Sequence, residues 1–489
     1  MVKLLQTLLV GLPIEQILGP TDRPIAMICS NSDQATQDSC FIALPGTQVD
    51  GHGYIPMAIS AGSTAIVCTV LPADPTDQAT YIVVASTAKA LAIMAANFYD
   101  QPSNKLKIVA VTGTNGKTTI VHLLHRMALQ MGYKAGMLST IVNKVVDQTY
   151  PATHTTPDAI QLHHLFHLMV TAGCSYCFME ASSHAIVQER LYGVTLLGVV
   201  FTNITPEHLD YHIDFRHYIQ AKKKLFDGLS AHAFALVNQQ DKNHAIMLQN
   251  CKAQPYTFSL QHEADFRGKI ISHTLQGMEL EIDHQSIWIQ LIGAFNASNS
   301  LAAYGVARLL GFSTQESLVA LSAIPLIAGR MQVIQLNQQP LVIIDYAHTP
   351  DAIEQVITTL RNLFTSSRRL ITIMGCGGNR DQQKRALIGH ILAKYSEVAI
   401  FTSDNPRYEN PQAIMDEMQK GVSPTTACKV IHIVDRAMAI KAACLLANPD
   451  DLLLIAGKGH QHYEEINATK YDFCEEKIVR AIFESKCKL

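Results

Sequence analysis

No run of about 18 apolar residues occurs anywhere in this chain, so nothing in it predicts a membrane-spanning helix. No excess of one charge occurs either. With 38 Lys and Arg against 41 Asp and Glu, the net charge is −3, which argues against nucleic acid or another polyanion as a partner. Basic clusters are therefore expected to be local sites. The 11 cysteines lack any repeated metal-ligand spacing. Their odd number and scatter exclude a disulfide framework and point to reduced thiols in a cytoplasmic protein. The single C-x-x-C, Cys174 to Cys177, lies where a helix hands over to a buried strand and reads as core. The leucine-rich start, "MVKLLQTLLVGLPIEQIL", is broken by Gln6 and Glu15 and lacks a small-residue cleavage site, so an amphipathic first helix is expected rather than a signal peptide. Internal repeats and low-complexity tracts are also missing.

What is present is enough apolar material for several cores: 489 residues, 48% hydrophobic and 16% charged. At about 100 to 200 residues per domain, three domains are expected. The first hundred residues alternate strand-like runs with helical stretches, and the polar "QPSNK" at 101–105 reads as a linker. From 106 a β-loop-α pattern begins, predicting a mainly parallel sheet flanked by helices. A third block opens near "LIAGRMQ". Its strand-like runs "LVIIDYAH", "LITIMGCGG", "EVAIFTSD" and "DLLLIAGKG" each end in a polar or glycine-rich loop. Loops at the carboxyl ends of such strands form a ligand crevice. The expected class is α/β: a small N-terminal α/β domain (1–102), a central domain with a P-loop-type sheet (103–327), and a Rossmann-like C-terminal domain (328–489).

Residues 112–119 resemble a phosphate-binding loop with one glycine missing. Gly116-Lys117-Thr118 is intact, but Val111 stands where G-x-x-x-x-G-K-[ST] begins. Gly113 and Gly116 permit a tight turn, the helix start faces an anion, Lys117 adds a charge, and Thr118 offers a hydroxyl to magnesium. An ordinary P-loop NTPase would next show an Asp at a strand end. Here "YCFMEASSHA" brings Glu180, Ser183 and His184, and "VVFTNITPEHLDYH" brings His208, Asp210 and His212. Singly, each reads as a capping or surface group. Placed after consecutive strands, they suggest a carboxylate and an imidazole sharing the crevice with Thr118.

The motifs "GTNGKTT", "EASSHA", "FTNITPEHLDYH", "GAFNASNSLAA", "AGRMQ", "DYAHTPDA", "GCGGNRD", "DNPR" and "AGKGH" occur in the order found in the Mur ligases. The chain resembles that family over roughly residues 30 to 465, and within it the branch that adds the third residue to the UDP-MurNAc peptide. The resemblance implies ATP-dependent amide formation through an acyl phosphate, with Mg2+, UDP-MurNAc-L-Ala-D-Glu and meso-diaminopimelate, by a monomer. It implies Lys117, Glu180, His208 and Lys222 as catalytic residues. Thr118, Glu180, His208 and a carbamylated Lys222 would hold metal, although three consecutive lysines at 222–224 otherwise read as a solvated helix face.

For ATP the resemblance implies Gly113, Thr114, Asn115, Gly116, Lys117, Thr118 and Thr119, then Asn296, Asn299, Arg330, Asp345 and His348. For the UDP-sugar peptide it implies Ser32, Thr155, Thr156, Ser183, Gln188 and Arg190. For diaminopimelate it implies Arg380, Asp404, Asn405, Pro406, Arg407, Gly457 and Gln461, because a second carboxylate calls for the planar fork of an arginine. Three positions depart from the family. Asn31-Ser32-Asp33 replaces Asp-Ser-Arg, Gln332 stands where Glu is frequent, and Gln461 replaces the Glu after "GKGH". The last change keeps a lysine-adding enzyme as an alternative. A folylpolyglutamate-synthetase-like ligase is another, and a nucleotide-dependent kinase or switch is the alternative from a different class.

Overall fold

The computed structural model describes residues 1–46, 49–364 and 368–486. Three sheets carry the architecture. Near the N-terminus, Gln16–Leu18, Thr80–Val83, Ser63–Cys68, Ser39–Ile42 and Met27–Cys29 lie side by side. All pairs in that sheet are parallel except the Gln16–Leu18 edge. The leucine-rich start does not form the expected amphipathic helix. Its helix is one turn, Leu5–Leu8, before the chain pairs as strand again. One turn is too short to nucleate alone, and burial of Leu5 and Leu8 holds it. The 101–105 segment lies between the first two blocks, and Pro102–Lys105 within it forms a 3-10 turn with Pro102 and Ser103 buried.

The central sheet has eleven strands, and Lys107–Thr112 lies between Tyr176–Glu180 and Gly198–Phe201, parallel to both. These strands are buried on both faces, which is why they read as continuous apolar runs. Phe266–Thr274, Gly277–Ile282 and Gln285–Ile289 extend the sheet as an antiparallel meander. The C-terminal sheet orders Leu341–Asp345, Leu452–Ala456, Leu370–Met374, Val398–Phe401 and Lys429–His432 in parallel, with Gln332–Ile334 antiparallel at one edge. The last core is not built only from its own block. Ile292 is fully buried in it, and Leu275 and Phe295 pack against it. No described helix is long and apolar enough to cross a membrane. Cys174 and Cys177 are free thiols buried as core, and Cys487 lies outside the described residues.

Buried histidines make this fold acid-sensitive. Burial pushes the imidazoles of His125 and His163 down to about 4, and burial together with His125 takes His122 to about 3. An unfolded chain binds those protons near pH 6.5, so folding stability is intact above that value and falls as pH drops toward 4. His163 is fully buried beside Phe166, and neither ring nitrogen has a hydrogen-bond partner. His163→Leu should therefore raise stability by roughly 1 kcal/mol at pH 5.5 and by less at pH 7.5. Denaturant titrations at both pH values check this, and an equal change at both would contradict it.

Candidate active site

The loop after Lys107–Thr112 explains its own glycines. Gly113 has φ +148°, and a Cβ there would sit 1.9 Å from Thr202 Oγ1. Gly116 has φ +91°, and its Cβ would sit 2.4 Å from Asn299 Oδ1. Two close approaches, by the neighbouring strand end and by the Ala294–Leu309 helix, thus exclude side chains. Val111 belongs to the strand, fully buried and paired with Glu180 and Val200, so the missing glycine is no defect. The Thr114 and Asn115 amides donate to Asn203 O and Asn203 Oδ1 at 2.9 and 3.0 Å. The Lys117–Gln130 helix then starts with its dipole facing the cavity. Lys117 Nζ donates to Gly113 O and Thr114 O at 2.8 and 2.7 Å, and burial lowers its pKa. Gly113→Ala should weaken apparent ATP affinity at least about tenfold, because it displaces backbone amides from a charge-binding geometry. Nucleotide-binding calorimetry checks this, and unchanged affinity would contradict it.

Glu180 ends its strand fully buried and accepts from Thr140 N (2.8 Å) and Thr140 Oγ1 (3.1 Å). His208 is not at a strand end, as the sequence suggested. The strand stops at Phe201, and His208 follows in a left-handed turn at φ +57°. Burial pushes its imidazole down to about 3, leaving it neutral and able to donate an electron pair. Sequence reasoning passed over Glu207, which is buried in the same cavity. Its carboxylate lies 3.7 Å from His208 Nε2 and 3.3 Å from His348 Nε2, so it joins the central and C-terminal blocks. The signal for it was an acidic residue immediately before His208.

The Phe215–Asp227 helix settles which lysine faces inward. Tyr218, Ala221, Lys222 and Leu225 follow the i, i+3, i+4, i+7 rule and are buried, whereas Lys224 is exposed and Lys223 pairs with Asp227. Lys222 Nζ donates to Gly113 O at 2.9 Å and lies 4.6 Å over the Tyr218 ring. Burial and the neighbouring Lys117 hold its pKa well below the ordinary value. It sits behind the loop and is not among the cavity-lining residues.

One cavity of about 1170 Å³ receives these groups and the C-terminal strand ends. From the central block come Thr114 to Thr119, Glu180, His208, Asn296 and Asn299, with Thr155, Gln188 and Arg190 on another wall. From the last block come Arg330, Asp345, His348, Arg380, Asp404, Asn405, Arg407, Gly457 and Gln461. Several residues expected at ligands also make contacts that hold the structure around the cavity. Asp345 accepts from Met331 N and Ala347 N, both at 2.7 Å, and so fixes its own turn. Thr156 Oγ1 donates to Glu180 O, and Ser183 Oγ bonds His212 Nε2 at 2.9 Å; neither lines the cavity. Pro406 shapes the turn without lining the cavity, Gly113 is masked by its neighbours, and Ser32 is buried in the N-terminal block, apart from it.

Around the last crevice, Arg407 Nη1 donates to Gly378 O at 2.7 Å and Nε lies 3.2 Å from Glu465. Asn405 Nδ2 donates to Gln461 Oε1 at 3.0 Å, and Asp404 lies 3.2 Å from Lys458 Nζ. Gln332 keeps a partner in place of an ion pair. Its Nε2 donates to Glu476 at 2.8 Å, and its Oε1 accepts from Gly329 N at 2.9 Å.

Residues 24–99 match the model of the Mur ligase family catalytic domain, 111–307 that of the Mur ligase middle domain, and 329–459 that of the Mur ligase glutamate ligase domain. The UDP-N-acetylmuramoyl-L-alanyl-D-glutamate–2,6-diaminopimelate ligase of Cytophaga hutchinsonii is 48% identical over 470 residues, 96% of each chain. The chain belongs to the Mur ligase family. A protein of the same name from Phocaeicola vulgatus is 44% identical over 98% of this chain and 99% of its own. A solved structure of a 2,6-diaminopimelate ligase of that kind shares the fold at TM-score 0.68 and 29% identity, covering all of both chains. As a Mur ligase, the chain is an ATP-dependent, ADP-forming enzyme.

Proposed function

We propose that this Mur ligase adds meso-diaminopimelate to the D-glutamyl γ-carboxylate of UDP-MurNAc-L-Ala-D-Glu during peptidoglycan precursor synthesis. The observation that carries this reading is the single cavity in which the nucleotide loop, the Glu180 and His208 wall and the Arg407 crevice face one another. The full-length relatives named for that reaction support it.

A carboxylate resists attack by an amine, so its oxygen first takes the γ-phosphoryl group of ATP, releasing ADP. The free amine then attacks the acyl carbon, and phosphate leaves as the amide forms. Such chemistry depends on positioning and on neutralising charge. In this reading the free amides at the start of the helix, Gly116 to Thr119, and the Lys117 side chain hold the β- and γ-phosphates, with Gly113, Thr114 and Asn115 shaping the loop, and Asn296, Asn299, Arg330, Asp345 and His348 frame the nucleoside. Thr155, Gln188 and Arg190 meet the peptide end of the UDP substrate, with Thr156 and Ser183 behind them. Ser32 serves the uridine end.

The donor set fits magnesium. No three His, Cys, Asp or Glu side chains among the described residues form a ready-made cage. Thr118, Glu180 and neutral His208 offer one hydroxyl, one carboxylate and one imidazole, and Mg2+ takes its remaining ligands from phosphates and water. Bound there, it neutralises charge on the phosphates. Burial and the neighbouring Lys117 hold the pKa of Lys222 well below the ordinary value, which favours the neutral amine that a carbamate requires.

For the amino acid, Arg407 presents a guanidinium braced by Glu465, and Asn405, Gly457 and Gln461 line the crevice. Arg380 stands exposed at its rim. With ATP, the UDP-dipeptide and labelled diaminopimelate, the purified chain should form a labelled UDP-tripeptide with matching ADP. ADP release that ignores the amine, or no product at any magnesium or bicarbonate concentration, would sink the reading.

A further inference from the structure

Beneath the crevice lies a group of four buried charges: Asp404, Arg436, Lys458 and Glu475 are each at most 7% exposed. Arg436, Lys458 and Glu475 carry no role in the ligation as derived so far. Arg436 opens the Arg436–Leu446 helix, and Glu475 opens the last helix, Glu475–Lys486. The two meet through Glu475 Oε1, which accepts from Arg436 Nε at 2.8 Å and from Nη2 at 2.6 Å. The rest of the guanidinium is spent on backbone. Nη1 donates to Ser403 O at 3.1 Å, and Nη2 donates to Ala456 O at 2.7 Å.

Those two carbonyls stand at informative places. Ser403 immediately precedes Asp404, Asn405 and Arg407, and Ala456 immediately precedes Gly457 and the loop to Gln461. One planar group thus ties together the strand ends that launch both halves of the amino-acid crevice. Lys458 adds a second tie, donating to Asn405 Oδ1 and to Tyr463 O, both at 2.9 Å.

Stability alone does not account for this arrangement. A buried ion pair is commonly matched or bettered by apolar residues of the same volume. Here, moreover, Glu475 Oε2 is buried with no hydrogen-bond partner among the described residues, which costs free energy. What an apolar pair cannot do is hold two carbonyls at fixed separation. We propose that Arg436, neutralised by Glu475, is a positioning residue for the amine substrate, setting the placement of the 404–407 turn relative to the 457–461 loop. This rests on the ligase reading given above.

Two variants of the full chain test it. Arg436→Lys keeps the charge beside Glu475 but lacks the fork needed to reach both carbonyls. The double variant Arg436→Met, Glu475→Leu removes the pair at similar volume and protects folding. In both, KM for diaminopimelate should rise roughly ten- to a hundredfold, since a shift of about 1 Å in a bound reactant costs on that order. KM for ATP and for the UDP-dipeptide should stay within about twofold, and acyl phosphate trapped by borohydride without amine should be unchanged. An unchanged KM for diaminopimelate in both active variants would overturn the inference alone. A parallel loss in all three KM values and in trapped acyl phosphate would also overturn it, because it would show a purely structural role. Absence of amine-dependent ADP release from the unaltered chain would overturn the ligase reading, and this inference with it.

Discussion

Lys222→Ala is expected to lower the rate of ligation by roughly two to three orders of magnitude while leaving nucleotide affinity nearly intact. Three consecutive lysines stand at 222–224, yet only Lys222 lies on the buried stripe of its helix, against Gly113 O and the Tyr218 ring. An ammonium there would face Lys117 in a desolvated setting, and burial accordingly pulls the pKa well down. The neutral amine can take up CO2, giving a carbamate and releasing one proton. That step would turn a neutral group behind the nucleotide loop into an anion able to share a metal. Lys223→Ala and Lys224→Ala should behave like the unaltered enzyme. Formate or acetate added to the Lys222→Ala protein should restore part of the rate, and 13C-bicarbonate should label the unaltered protein but not the variant. Equal losses for all three lysines would remove the carbamate argument.

Arg407→Ala should cost about ten- to a hundredfold in kcat/KM for diaminopimelate, the scale of one or two charge-assisted hydrogen bonds. The same change should affect L-lysine use little, because lysine lacks the second carboxylate. Arg407 is held at φ +53° with Nε toward Glu465 and Nη1 on Gly378 O, so its remaining donors have few ways to turn. Arg407→Lys should rescue only partly, since a point charge cannot reproduce the fork. Competition between the two amino acids at equal concentration measures the effect. A selectivity unchanged from the parent would mean that Gln461 and Asn405, bonded to each other at 3.0 Å, do the choosing.

Much of this architecture is legible in the sequence. Continuous apolar runs ending in glycine or polar loops announced the parallel sheets, and Val111 is strand because it is apolar between apolar neighbours. Which of the three lysines faces inward is not legible in the sequence, where only the family resemblance favours Lys222; the phase of the helix, with Tyr218, Ala221 and Leu225 buried, shows it in the structure. Other features depend on packing between distant segments. Leu5 to Leu8 lacks the length to declare a helix, and the buried turn at Pro102 looks polar on paper. Glu207 was hidden because its partner, His348, is 141 positions away (348 minus 207). Pro406, Thr156 and Ser183 sit in motifs expected to bind yet do not line the cavity, because motif membership does not say which way a side chain points.

The seating of Ile292 bears on how this enzyme can be taken apart. Family boundaries place a cut between residues 307 and 329, but the apolar interior of the last block contains Ile292, with Leu275 and Phe295 against it. A fragment beginning near 328 would leave a hollow where Ile292 sat, and the complementary fragment would carry a greasy knob into water. The packing of the last block therefore reaches past its boundary in sequence. Any swap of amino-acid-binding blocks between relatives must carry the 275–295 segment across with them.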